Sequence, residues 1–225
     1  MEVLQNYPHD AGAFTQGLLM RNGLLYESTG LVGRSSLREV ELATGQVQRI
    51  HDIPAPFFAE GLALVGEQLI QLTWTNQVAF LYDRASFASQ GQFTYTTQGW
   101  GLCYDGTHLV MSDGTSLLYF RDPATFQVVR SVTARLNGSA VDKLNELECV
   151  DGFVYANVWT TNWIMKIDPS DGHIAARIDA SGLLTAAERP GTDVLNGITT
   201  DPANGDFLIT GKLWPKLFRV KFVPK

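Results

Sequence analysis

Five short segments of this chain place chemically useful side chains at matching positions: Gln16-Gly17-Leu18, Glu60-Gly61-Leu62, Trp100-Gly101-Leu102, Asn145-Glu146-Leu147 and Asn196-Gly197-Ile198. Their leading residues are one carboxylate, three carboxamides and an indole. An equal distance beyond the turn that follows each segment stand Gly30, Trp74, Gly114, Trp159 and Lys212. An antiparallel hairpin brings residues equally far from its turn side by side, so the two sets share one rim. A carboxylate there can take up and return a proton. An ammonium or an amide can stabilise an oxygen that becomes negative, and indoles supply the apolar wall of a small-molecule pocket. Each residue also has a plainer role open to it. Glu60 reads as a solvated rim carboxylate, Lys212 as a surface lysine, and Gln16 and Asn145 as strand caps or backbone anchors. Asn196, followed by Gly197, reads as a turn residue, and Phe14 and Phe58 as core.

The elements that must position these groups follow from the repeat. The second residues of the segments, at 17, 61, 101, 146 and 197, lie 44, 40, 45 and 51 residues apart. Each segment runs into a turn signal (Asn22-Gly23, Gly66-Glu67, Asp105-Gly106, Asp151-Gly152, Asn204-Gly205), and apolar residues then resume. Such dipeptides supply the positive φ of tight hairpins. A second hairpin follows, as in Leu37–Leu42 turning at Thr44-Gly45 and Ile164–Ile167 turning at Asp171-Gly172. Four short strands per 40 to 50 residues is the unit of a β-propeller blade. The fifth unit is one strand short, and Glu2–Tyr7 is a spare strand. The expectation is an all-β, five-bladed β-propeller over residues 1–225 as a single domain, closed by the N-terminal strand completing the C-terminal blade. The 51-residue interval is explained by an insertion at Ser181–Pro190, read as a short surface helix. Trp163 and Trp214 read as packing between blades.

Composition narrows the function classes. Of 225 residues, 45% are hydrophobic and 18% charged, and the formal net charge is −6 without blocks of either sign. That argues against a phosphate-tracking surface and against nucleic acid as a partner. No apolar run approaches a membrane span, and Met1–Asn6 lacks signal-peptide form, which leaves the compartment open. Cys103 and Cys149 are too few for a disulfide framework. His9, His51, His108 and His173 are scattered without metal-ligand spacing. Asn137-Gly138-Ser139 matches a glycosylation sequon by accident of its brevity.

Phe14-Thr15-Gln16-Gly17-Leu18, Phe58-Ala59-Glu60-Gly61-Leu62, Leu72-Thr73-Trp74, Gly99-Trp100-Gly101-Leu102, Leu144-Asn145-Glu146-Leu147-Glu148, Asn157-Val158-Trp159, Leu195-Asn196-Gly197-Ile198 and Thr210-Gly211-Lys212 resemble the plant and bacterial glutamine cyclotransferases. The resemblance runs from Tyr7-Pro8-His9-Asp10 to Phe218-Arg219-Val220. It implies a five-bladed propeller acting as a metal-independent, cofactor-free acyltransferase. The implied substrates are peptides or proteins with an N-terminal glutamine, which becomes pyroglutamate with release of ammonia. It further implies a monomer, with no membrane partner. The pocket residues it implies are Phe14, Phe58, Trp74, Trp100 and Trp159 around the substrate, with Glu60 as the essential acid and Gln16, Asn145 and Lys212 beside it.

In that reaction an amine attacks a carboxamide of the same residue. One carboxylate can move the proton from the attacking to the leaving nitrogen, and Gln16, Lys212 or Asn145 could hold the oxyanion. A carboxylate that only anchors the substrate ammonium is the alternative for Glu60. Two other classes remain open at this stage. One is a metal-dependent propeller hydrolase using Glu60, Asn145 and Asn196, a set poor in carboxylate for a hard cation. The other is a peptide-binding scaffold without chemistry.

Overall fold

A computed structural model describes residues 1–223 of the chain. Five four-stranded antiparallel sheets stand around a central axis, and the expected propeller is the fold observed. The innermost strands are Thr15–Arg21, Ala59–Val65, Leu102–Tyr104, Leu144–Val150 and Leu195–Thr200. Each packs beside the next, and the fifth returns to the first. Hairpins with left-handed residues at Asn22-Gly23 and Asp151-Gly152 join inner strands to their neighbours, as the turn chemistry requires.

Glu2–Pro8 supplies the outer strand of the last blade. It pairs antiparallel with Lys216–Lys221, from Glu2 opposite Lys221 to Pro8 opposite Lys216. The ring is thus closed by its own ends, and Lys216–Lys221 is paired on both sides where it would otherwise be the outer edge of the last sheet.

The core lies between blades. Tyr26 and Leu37 of the first blade pack with Leu62, Leu69 and Tyr82 of the second. Trp214 is buried between the fourth and fifth blades, and Trp163 packs over the core shared by the third and fourth, both as expected. Inner strands approach so closely at their leading ends that a side chain is excluded. A Cβ added to Gly101 would lie 2.0 Å from the Asn145 carbonyl oxygen, and one on Gly61 2.5 Å from the Leu102 nitrogen. The repeated Gly of the motif is therefore the contact point between neighbouring blades.

Two features, the inserted segment and the cysteine pair, depart from the sequence reading. Ser181–Pro190 forms turns and no helix. Gly182 takes φ +83°, and Glu188 folds back to accept hydrogen bonds from the Thr185 N–H and hydroxyl. A single capped turn ends at Pro190, too short a stretch to propagate a helix. Cys103 and Cys149, 46 residues apart, form a disulfide joining the inner strands of blades three and four. Asn137-Gly138 is the positive-φ turn of a small hairpin between Arg135–Leu136 and Ser139–Ala140.

Candidate active site

A cavity of about 340 Å³ opens at one end of the central axis. It is lined by all nine residues singled out above, namely Phe14, Gln16, Phe58, Glu60, Trp74, Trp100, Asn145, Trp159 and Lys212, joined by Thr160, Asp193 and Val194. Four blades place their polar groups by a common device. Pairing of the inner strand with its neighbour slips between Thr15 and Gly17, Ala59 and Leu62, Leu144 and Leu147, and Leu195 and Ile198. A bulge re-aims the side chain it contains. Here it redirects Gln16, Glu60, Asn145 and Asn196, all of them 5% exposed or less.

Glu60 is held by a short relay. The Asn196 side-chain nitrogen donates to Gln16 Oε1 at 3.0 Å and to the Thr15 carbonyl. Gln16 Nε2 in turn donates to Glu60 Oε1 at 2.9 Å. The turn reading of Asn196 is corrected by this geometry. Asn196 lies in a strand, and its amide fixes which face Gln16 presents. Asn157 contributes from the next blade by accepting a hydrogen bond from the Gly197 N–H.

Burial pushes the Glu60 carboxyl well above the ordinary carboxylate range, and the charge of Lys212 pulls it only part of the way back. Burial also lowers Lys212, against the raising influence of Glu60 and Asp193. The same desolvation thus moves the acid up and the base down, which brings both towards neutral pH, where proton transfer is useful. The Lys212 ammonium lies 4.8 Å over the Phe14 ring. Asn145 Oδ1 is buried without a hydrogen-bond partner among the described residues. An unpaired buried acceptor is costly unless a ligand satisfies it.

The aromatic wall is continuous over most of the circumference. Phe14 meets Phe58 edge-on at 6.1 Å, and Phe58 meets Trp74 at 5.8 Å. Trp100 meets Trp159 at 5.5 Å. Between Trp74 and Trp100 the link is Gln98, which sequence reasoning did not single out. Its Oε1 accepts both indole N–H groups, at 2.7 and 2.9 Å. Gly30 and Gly114, opposite the rings, are required by them. A Cβ on Gly30 would lie 2.3 Å from the Phe58 ring, and one on Gly114 2.6 Å from Trp100.

Where other blades carry Gly, the fourth carries Glu146, to which the sequence alone assigned no role. Its carboxyl crosses the middle of the ring to accept from the Leu18 N–H of the first blade and the Ile198 N–H of the fifth. Burial and the nearby Glu148 raise it well above the usual range. Among the described residues no group of three His, Cys, Asp or Glu side chains could hold a metal ion.

Comparison with known proteins agrees with this geometry. The family described as glutamine cyclotransferase matches residues 1–222. A glutaminyl-peptide cyclotransferase of Arabidopsis thaliana is 45% identical over 98% of this chain and 71% of its own length. The crystal structure of Myxococcus xanthus glutaminyl cyclase superposes with a TM-score of 0.88 at 40% identity, covering 99% of this chain and 97% of that one. Hydrazine synthase of Kuenenia stuttgartiensis, 15% identical with a TM-score of 0.54 over 91% of this chain and 56% of that one, shares the fold alone. Bulged inner strands that aim an acid and two amides into an aromatic cup, with a lysine from the fifth blade beside them, are thus set in a chain that belongs to the glutamine cyclotransferase family.

Proposed function

We infer that this chain is a glutaminyl-peptide cyclotransferase and that the cavity around Glu60 is where it acts. The observation that carries the assignment of the site is a buried carboxyl, oriented by Gln16 and raised by burial, at the floor of an aromatic cup. The reaction forms a bond from the α-nitrogen of an N-terminal glutamine to its own Cδ and breaks the bond from Cδ to the amide nitrogen. Pyroglutamate and ammonia are the products.

Glu60 takes the proton that the attacking amine sheds and delivers it to the departing nitrogen, so that the carboxylate is regenerated. Positioned acid–base groups of this kind contribute typically about 10² to 10⁴ in rate. Gln16 has one amide N–H committed to Glu60, and it serves to orient that carboxylate. Asn145 offers an unpaired acceptor to a substrate N–H. Lys212 is then the group best suited to stabilise the developing oxyanion, an electrostatic role for a buried ammonium. Phe14, Phe58, Trp74, Trp100 and Trp159 enclose the glutamine side chain and favour its folded, cyclising conformer, a proximity effect.

The test is incubation with a glutamine-initiated peptide, following loss of one ammonia by mass in the presence and absence of a chelator. Turnover should be unchanged by the chelator, and Glu60→Gln should fold normally yet lose at least about 100-fold in kcat. Near wild-type turnover by the folded variant would remove Glu60 from this role, and loss of turnover on chelation would favour a metal-dependent reaction.

A further inference from the structure

The aromatic wall has one gap. Going round from Phe14 through Phe58, Trp74, Gln98 and Trp100 to Trp159, rings or the Gln98 clamp form the side wall of the cavity. Between Trp159 and Lys212 the lining changes to Thr160, Asp193 and Val194, with no ring among them. Asp193 and Val194 also line a second cleft, of about 500 Å³, just outside the cavity. That cleft is built by the turn segment after Ala180, which is the insertion that lengthens the interval between the fourth and fifth segments, and its walls include Asn162, Leu184, Arg189, Thr192 and Trp214. The segment is anchored: Trp214 Nε1 donates to the Asp193 carbonyl, the Asp193 N–H donates to the Lys212 carbonyl, and Lys216 pairs with Glu188.

A cyclising glutamine must keep its α-nitrogen and side chain inside the cavity, so the rest of a peptide leaves from its α-carbonyl, out of the mouth of the cup and past the side of the rim that gives it room. We propose that the peptide leaves through the gap between Thr160 and Asp193, and that the cleft formed by the inserted segment is the subsite for the residue that follows the glutamine. This rests on the cyclotransferase reading above and adds the path of the chain to it. The subsite has a mixed lining, with buried Leu184 and Trp214 behind and Asn162 and Thr192 at the edge, which suits a peptide unit and a medium-sized side chain. Charge flanks the gap on both sides. Asp193 stands on one, and on the other Lys143 reaches the Thr160 hydroxyl at 3.4 Å. Arg189 lines the cleft and not the cavity.

The experiment compares glutamine amide with two peptides, Gln-Lys-Ala and Gln-Glu-Ala, on the wild type, Asp193→Lys and Thr97→Lys. Thr97, next to Gln98, lines neither the cavity nor the cleft and serves as the control. Asp193→Lys should shift the ratio of kcat/KM for the Glu peptide over the Lys peptide by roughly tenfold towards the Glu peptide at low salt, less at high salt. Thr97→Lys should leave that ratio within about twofold of the wild type. Because a ratio is read, any general effect of Asp193 on Lys212 cancels. Asn162→Trp, which fills the cleft without touching the cavity, should raise KM for both peptides at least about fivefold and leave glutamine amide unchanged. An unmoved ratio in Asp193→Lys, or a larger shift in Thr97→Lys, would overturn the proposed path while leaving the cyclotransferase activity in place. No ammonia from any substrate with the wild type would overturn that reading, and this inference with it.

Discussion

Gln16 Nε2 lies 2.9 Å from Glu60 Oε1, so the first blade orients the acid that the second blade supplies. The two residues are 44 positions apart, one repeat, and each sits at the bulge of its own inner strand. Lys212 of the fifth blade completes the electrostatic balance by opposing the effect of burial on Glu60. This arrangement makes a signed prediction about pH. Lys212 lowers the Glu60 pKa, so Lys212→Met leaves burial unopposed, and the acid limb of kcat/KM should move to higher pH. A limb that stays in place, or moves down, would show that another group sets it.

Gln98 is a positioning residue for the wall. Gln98→Leu removes the acceptor shared by Trp74 and Trp100. A hydrogen bond of this kind contributes about 1 kcal/mol, so kcat/KM should fall roughly threefold to tenfold, with a change in tryptophan fluorescence. Gln98→Glu keeps an acceptor oxygen and should restore both readouts. Equal losses in the two variants would assign Gln98 a role other than accepting from the indoles.

Stability should fall as pH rises from mildly acidic to neutral. Glu148, which accepts from the Thr200 N–H and hydroxyl, is pushed by burial from 4.5 up to about 7. Between those values the folded protein binds a proton that the unfolded chain has released, so stability is greatest below about pH 4.5 for this group and is lost as pH climbs towards 7. The cost is on the order of 3 kcal/mol. Denaturant midpoints measured at pH 5 and pH 8 should differ in that direction, and Glu148→Gln should reduce the difference. An unchanged pH dependence in the variant would place its origin elsewhere, with Glu146 the next group to test.

The disulfide should contribute to stability and leave chemistry alone. Cys103 and Cys149 close a loop of 46 residues between two inner strands, and neither lines the cavity. The chain-entropy estimate for such a loop is about 4 kcal/mol. Cys103→Ser with Cys149→Ser should lower unfolding stability by about 2 to 4 kcal/mol in denaturant titration, with kcat/KM at low temperature within twofold of the wild type. A much larger loss of activity in the folded double variant would show that the link also shapes the cavity.

The blade repeat, the closing N-terminal strand and seven residues of the cavity were legible in the sequence because each rests on local signals, whereas Phe14 and Phe58 read as core and joined the pocket only through the family resemblance. Turn dipeptides, period-two strands and a motif at fixed distance from its turn recur five times, and a ring of repeats carries equivalent positions to the same rim. Ser181–Pro190 misled for a local reason as well. Its helix formers are real, but Gly182 and Pro190 leave too little room between them.

What remained was decided by contacts that no local pattern encodes. The amide of Asn196 is in the relay because blade five abuts blade one across 180 residues. Glu146 stands where a Gly is expected because its carboxyl reaches backbone N–H groups of two other blades. Gln98 became part of the wall through two indoles from different blades, and Asp193 through its place between cavity and cleft. The residue types available to the site were thus set by sequence. The proton affinity of Glu60 and the hydrogen bond that orients it arise only when ring closure removes water from between the blades.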